Sequence, residues 1–89
     1  MKYVLEYRST PESRASATTH FPEHQAWYEG FHARGLLLMV GRFTDGDGEA
    51  IGVFTTRDAA EEFAAGDPFV RHGVVASWKI REWREVLVP

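Results

Sequence analysis

Leu36 to Phe43 is apolar without alternation until Arg42, and Asp45-Gly46-Asp47-Gly48 then turns the chain into a second apolar run, Ala50 to Thr55. Gly supplies positive φ in such a turn and Asp bonds its own backbone, so the segment predicts a β-hairpin. Everything else in the chain is arranged around it. On the N-terminal side, Tyr3 to Tyr7 alternates, with Tyr3, Leu5 and Tyr7 on one side and Val4 and Glu6 on the other, as a strand does. Arg8 to Thr19 is polar and reads as a loop. A helix is expected from Pro22, whose fixed φ and missing N–H suit a first turn, to Gly35 at the C′ position.

On the C-terminal side, Thr55-Thr56-Arg57-Asp58 reads as a capping box with Thr55 as the cap. The second helix continues through Ala59–Ala65 and ends at Gly66. Val74 to Trp83 forms the last strand. The order is βαββαβ, one α+β domain over residues 1–89. Two right-handed crossovers around a hairpin give a four-stranded antiparallel sheet with both helices on one face.

The run at Leu36–Val40 suits a strand covered on both faces. Only one face receives helices, so the other would expose an apolar patch. The chain is 89 residues long with no cysteine, which excludes disulfides and thiolate metal sites. A core this small gains most from association. A homodimer through the open sheet face is therefore expected.

Net charge is −3 and charges of both signs are interspersed. Nucleic-acid binding wants a concentrated basic face and is not expected. The longest apolar run is too short to cross a bilayer. The start, Met1 to Leu5 followed by Glu6 and Arg8, does not read as a signal peptide. The expectation is a soluble cytoplasmic protein with no membrane partner.

The first helix carries one anomaly. At about 100° per residue, Phe31, Tyr28, Phe21 and Trp27 all fall within about 60° of His24. A titratable residue thus occupies the middle of the aromatic, core-facing arc. Tracing directions puts the start of this helix and the exit of the second at the same end of the domain, so Asp67 should meet His24. Tyr7, Arg42, His72 and the Asp45–Gly48 turn belong to that end too. Asp67-Pro68 is also a natural helix start, Asp as N-cap and Pro at the first position.

At these residues the chain resembles the YCII-related family along nearly its whole length. The matching pieces are Tyr3-Val4-Leu5-Glu6-Tyr7, Pro22-Glu23-His24, Gly35-Leu36-Leu37-Leu38 with Gly41, Asp67-Pro68-Phe69-Val70 with Gly73, and Ile80-Arg81-Glu82-Trp83. The resemblance implies a ferredoxin-like dimer akin to dimeric α/β-barrel proteins, with His24 and Asp67 as a His–Asp active site. Two positions depart from the family's pattern. Phe21 stands where it often has Arg, and Arg42 stands where it often has Pro. The missing cation is expected from Arg42.

A carboxylate on one ring nitrogen fixes the tautomer of an imidazole and leaves the other nitrogen for proton transfer. The expected function is a cofactor-independent enzyme of isomerase, lyase or elimination type acting on a small molecule. His24 would move the proton and Asp67 would orient it, while Tyr7 and Arg42 would bind substrate and steady an oxyanion. The alternative is a non-catalytic dimeric module that binds a small ligand or a protein, with His24 structural. A cavity reaching His24 separates the two. No metal is expected: His20 and His24 have zinc-like spacing, but the helix is expected to begin between them and no third ligand is evident. Asp45–Gly48 lacks the remaining ligands of a calcium loop.

Overall fold

A computed structural model describes residues Met1–Pro89. The elements are β1 (Lys2–Arg8), a 3₁₀ turn (Ser13–Ser16), α1 (Ala17–Ala33), β2 (Leu37–Arg42), β3 (Glu49–Phe54), α2 (Arg57–Gly66), α3 (Pro68–Arg71) and β4 (Ser77–Trp83). The sheet order is β2-β3-β1-β4, antiparallel throughout. This is the expected ferredoxin-like α+β arrangement.

The first helix starts earlier than Pro22. Thr10 and Ser13 exchange side-chain and backbone bonds of 2.7 and 3.0 Å, which is the reciprocal geometry of a capping box. Pro11 follows the cap, and the 3₁₀ turn runs directly into α1. Pro22 therefore lies inside the helix, where it cannot bond the Thr18 carbonyl. The other end agrees with the sequence reading. Gly35 at φ 77° lets its own N–H reach His32 O and the Leu36 N–H reach Phe31 O, at 2.9 and 3.1 Å, a Schellman closure.

The α2 cap is Thr56 rather than Thr55. Its hydroxyl accepts from the Ala59 N–H at 3.1 Å, so Asp58 takes no part in a reciprocal box. Gly66, the last residue of α2, has a packing duty. A Cβ there would come within 2.5 Å of the Trp27 indole, whose N–H donates to Phe63 O at 3.1 Å. The closing strand begins at Ser77; Val74 and Val75 precede it as buried plugs.

The core lies between the helices and one sheet face. Leu5, Phe31, Leu37, Phe54 and Phe63 are buried there with the alanines of α2. No helix is long and apolar enough to cross a membrane. β2 is an edge strand covered on neither face beyond Leu37, and Met39 is 64 % exposed. On the outer face, Val4, Val53 and Met39 form one row across three strands.

The register also shapes the inner face. Directly paired residues point the same way. Tyr3, Phe54 and Leu37 make a closed row, Leu5, Gly52 and Val40 the next, and Tyr7, Ala50 and Arg42 the third. Bulky residues fill the first row. Gly52 makes room for the Phe54 ring, which lies 3.1 Å from where a Cβ would stand, and the small Ala50 leaves the third row open beside the cavity.

A bulge decides which side Arg42 takes. The register shifts between Leu37 and Met39, so Leu38 is an extra residue. Without it, strict alternation from the buried Leu37 would send Arg42 to the outer face. With it, Val40 and Arg42 turn inward. This also explains why the β2 sequence does not alternate.

Candidate active site

His24 stands on the second turn of α1, and Asp67 between α2 and α3. Their contact is direct: His24 Nδ1 lies 2.8 Å from Asp67 Oδ1. Asp67 is fully buried and the His24 side chain is 12 % exposed. A carboxylate with no proton only accepts, so Nδ1 carries the hydrogen and Nε2 holds the free lone pair when the ring is neutral.

Asp67 is held from three directions. Besides His24, the Phe69 N–H donates to Oδ1 at 3.0 Å and the Tyr7 hydroxyl donates to Oδ2 at 2.8 Å. The first of these is the N-cap bond of α3, with Pro68 following as expected. One side chain thus caps a helix and orients the imidazole. Three donors offset the cost of burying the charge.

Tyr7 therefore differs from the expectation of a substrate donor. Its single proton is committed to Asp67. Burial, then the neighbouring Asp67 charge and the bond to it, push the phenol well above its ordinary value of 10.0. Tyr7 holds the carboxylate, and its ring forms part of the wall.

The imidazole is fixed by rings as well. Phe69 stacks on it with centroids 3.8 Å apart and planes 2° from parallel; Tyr28 meets it edge-on at 5.2 Å. Beside this group opens a cavity of about 790 Å³, within the range of about 300–1,000 Å³ common for small-ligand sites. His24, Tyr7, Phe21, Tyr28 and Phe69 line one side. Arg42 and Phe43 line another, with Ala50 and Gly52 on the sheet. Arg42 makes no ion pair or side-chain hydrogen bond, so its guanidinium is uncommitted.

Arg14 is a lining residue that sequence reasoning missed. The polar stretch around it reads as a featureless loop, but the Thr10-Pro11-Glu12-Ser13 cap builds a helical turn that carries it to the cavity. Its Nη1 lies 3.2 Å from Ser9 Oγ. Gly48, at φ 85°, leaves room for it: a Cβ at that position would collide with the Arg14 guanidinium.

Fold and pair together describe a small α+β protein with a ferredoxin-like sheet and a buried histidine–carboxylate contact beside an aromatic-lined cavity. A YCII-related domain matches residues 1–84, and the protein belongs to the YCII-related family. No curated protein sequence matches it.

Among solved structures, it is similar to 5-chloro-2-hydroxyhydroquinone dehydrochlorinase (TftG) from Burkholderia phenoliruptrix, in complex with 2,5-dihydroxybenzoquinone. The TM-score is 0.78 at 17 % identity, covering 94 % of each chain. SnoaB, a cofactor-independent oxygenase from Streptomyces nogalater, aligns at TM-score 0.46 and 17 % identity over 97 % of this chain and 94 % of that one. The TftG match supports the fold.

Proposed function

We propose that this protein is a cofactor-independent acid–base enzyme acting on a small hydroxylated or carbonyl-bearing ring. The observation that carries the reading is His24: Nδ1 is tied to a fully buried carboxylate while the ring borders a ligand-sized cavity. His24 Nε2 takes a proton from the substrate, and the imidazolium formed is stabilised by Asp67. The same nitrogen returns the proton to another atom or to a leaving group, which completes an isomerisation or an elimination. Arg42 steadies the oxyanion that develops.

The rival reading, a binding module with a structural histidine, has less in its favour. A purely structural imidazole needs no cavity beside it. We also propose that a second copy covers the outer sheet face through the Val4–Val53–Met39 row, giving a homodimer whose two sites open away from the shared interface.

The test is crystallographic and kinetic. Crystals are soaked with small phenols, carboxylates and dihydroxylated quinones, the last being the ligand type bound in the TftG structure. Density against His24 and Arg42 is expected, followed by turnover of the bound compound that His24→Ala abolishes. A compound bound in the cavity and turned over equally well by His24→Ala would remove the catalytic assignment.

A further inference from the structure

A second cluster of functional groups lies on the outside of the α1–α3 contact, apart from the cavity. His20 and Glu23 are three residues apart on α1 and so share a face. His72 closes the C-terminal end of α3. One donor atom from each of these three residues lies within 4.8 Å of the others. The two imidazoles are stacked, centroids 4.0 Å apart and planes 3° from parallel. None of the three side chains makes a hydrogen bond or ion pair elsewhere in the fold, so their donor atoms are uncommitted.

We propose that His20, Glu23 and His72 form a surface site for a divalent transition cation of the zinc class. Two imidazoles and one carboxylate are a ligand set that zinc accepts, with water completing a tetrahedron. Zinc–ligand bonds of about 2.0–2.1 Å require tetrahedral donors to lie about 3.4 Å apart. The donors must therefore close by no more than about 1.4 Å, and the two rings must turn away from parallel, which rotation about the bonds of these side chains allows. That rotation opens the parallel stack, because a coordinated metal lies in the plane of each ring.

The expectation that no metal binds rests on a missing third ligand and on a helix beginning between His20 and His24. The helix in fact starts at Ala17, so His20 and Glu23 share one turn, and α3 carries His72 to them from 52 positions away (72 − 20). Those two features assemble a site that spacing along the chain does not reveal.

The site has a structural consequence. A cation bridging α1 to α3 would clamp the short helix that Asp67 caps. It binds the folded state only, since the ligands come from distant segments, and so raises the melting temperature. This inference does not depend on the proposed reaction: it can hold in a protein with no activity.

The experiment uses untagged full-length protein titrated with zinc chloride by calorimetry, with thermal melts run in parallel. One zinc per chain is expected, with a melting temperature that rises with zinc and returns with a chelator. His72→Ala and Glu23→Gln, both at exposed positions, should each weaken binding at least tenfold and shrink the thermal shift. His24→Asn should leave binding within about twofold, because its ring is engaged by Asp67. Binding lost in His24→Asn but retained in His72→Ala would overturn the assignment and move the metal into the cavity. No binding at millimolar zinc would overturn it outright.

Discussion

His24 and Asp67 are bonded at 2.8 Å although 43 positions separate them. The bond fixes the hydrogen on Nδ1, which is the state a general base at Nε2 requires. In neutral protein, nitrogen chemical shifts of His24 should report the Nδ1–H tautomer. Asp67→Ala should release this preference toward the Nε2–H form common in free imidazole. It also removes the α3 cap and leaves the Phe69 N–H and the Tyr7 hydroxyl without their acceptor, a loss of about 1–3 kcal/mol for each unmet hydrogen bond. An unchanged tautomer in Asp67→Ala would mean the carboxylate does not orient the ring.

This pair was legible because it depends on direction and periodicity alone. The wheel of α1 put His24 among Phe31, Tyr28 and Trp27, and βαββαβ topology put Asp67 at the same end. Asp67-Pro68 announced its own cap. The cavity is not legible in sequence, because it opens where the small Ala50 aligns with Tyr7 and Arg42, which needs the register. The topology places Arg42 at the same end as His24, but its side of the sheet depends on the extra residue Leu38. Bulges leave little trace in sequence beyond a broken alternation. Arg14 and the early start of α1 had a signal in Thr10-Pro11-Glu12-Ser13, which the later Pro22 masked.

Arg42 has no partner within the protein, so it is free for one outside it. Arg42→Ala should change stability by no more than about 0.5 kcal/mol, as for other exposed side chains without structural duty. Its effect should fall on anionic ligands. Binding of a phenolate or carboxylate in the cavity should weaken several-fold or more, and the loss should shrink at high salt. Equal affinity of charged and neutral ligands for both proteins, measured by calorimetry, would remove Arg42 from the site.

Ala50 sits between Tyr7 and Arg42 on the inner face and lines the cavity. Ala50→Leu adds three carbons into open space rather than into packed core, so the fold should persist with a similar melting temperature. Ligand binding should fall at least tenfold. An Ala50→Leu variant that binds ligand as well as its parent would place the binding site elsewhere.

Met39 is exposed in the Val4–Val53–Met39 row of the outer face. If a second copy covers that row, light scattering should give the dimer mass at micromolar concentration. Met39→Glu would place two like charges near a shared apolar surface, which desolvation penalises. The variant should shift toward monomer. A parent protein that is already monomeric would refute the covered face.

Tyr7 gives the pH dependence. Its phenol is raised above its ordinary value of 10.0, chiefly by burial and then by Asp67. The folded protein therefore keeps this proton at pH values where the unfolded chain releases it. Above pH about 10 the unfolded state binds fewer protons than the folded one, so stability falls as pH rises. Below that value the contribution is complete and flat. Tyr7→Phe keeps the ring but removes both the proton and one bond to Asp67. It should be less stable at neutral pH by about 1–3 kcal/mol, the cost of an unmet buried acceptor. Its denaturant midpoint should also decline less steeply than the parent's above pH about 10, so the two curves converge. Lysines and the other tyrosines titrate in both proteins and cancel in the difference. Curves that stay parallel to pH about 11 would mean that the phenol is not held protonated by the fold.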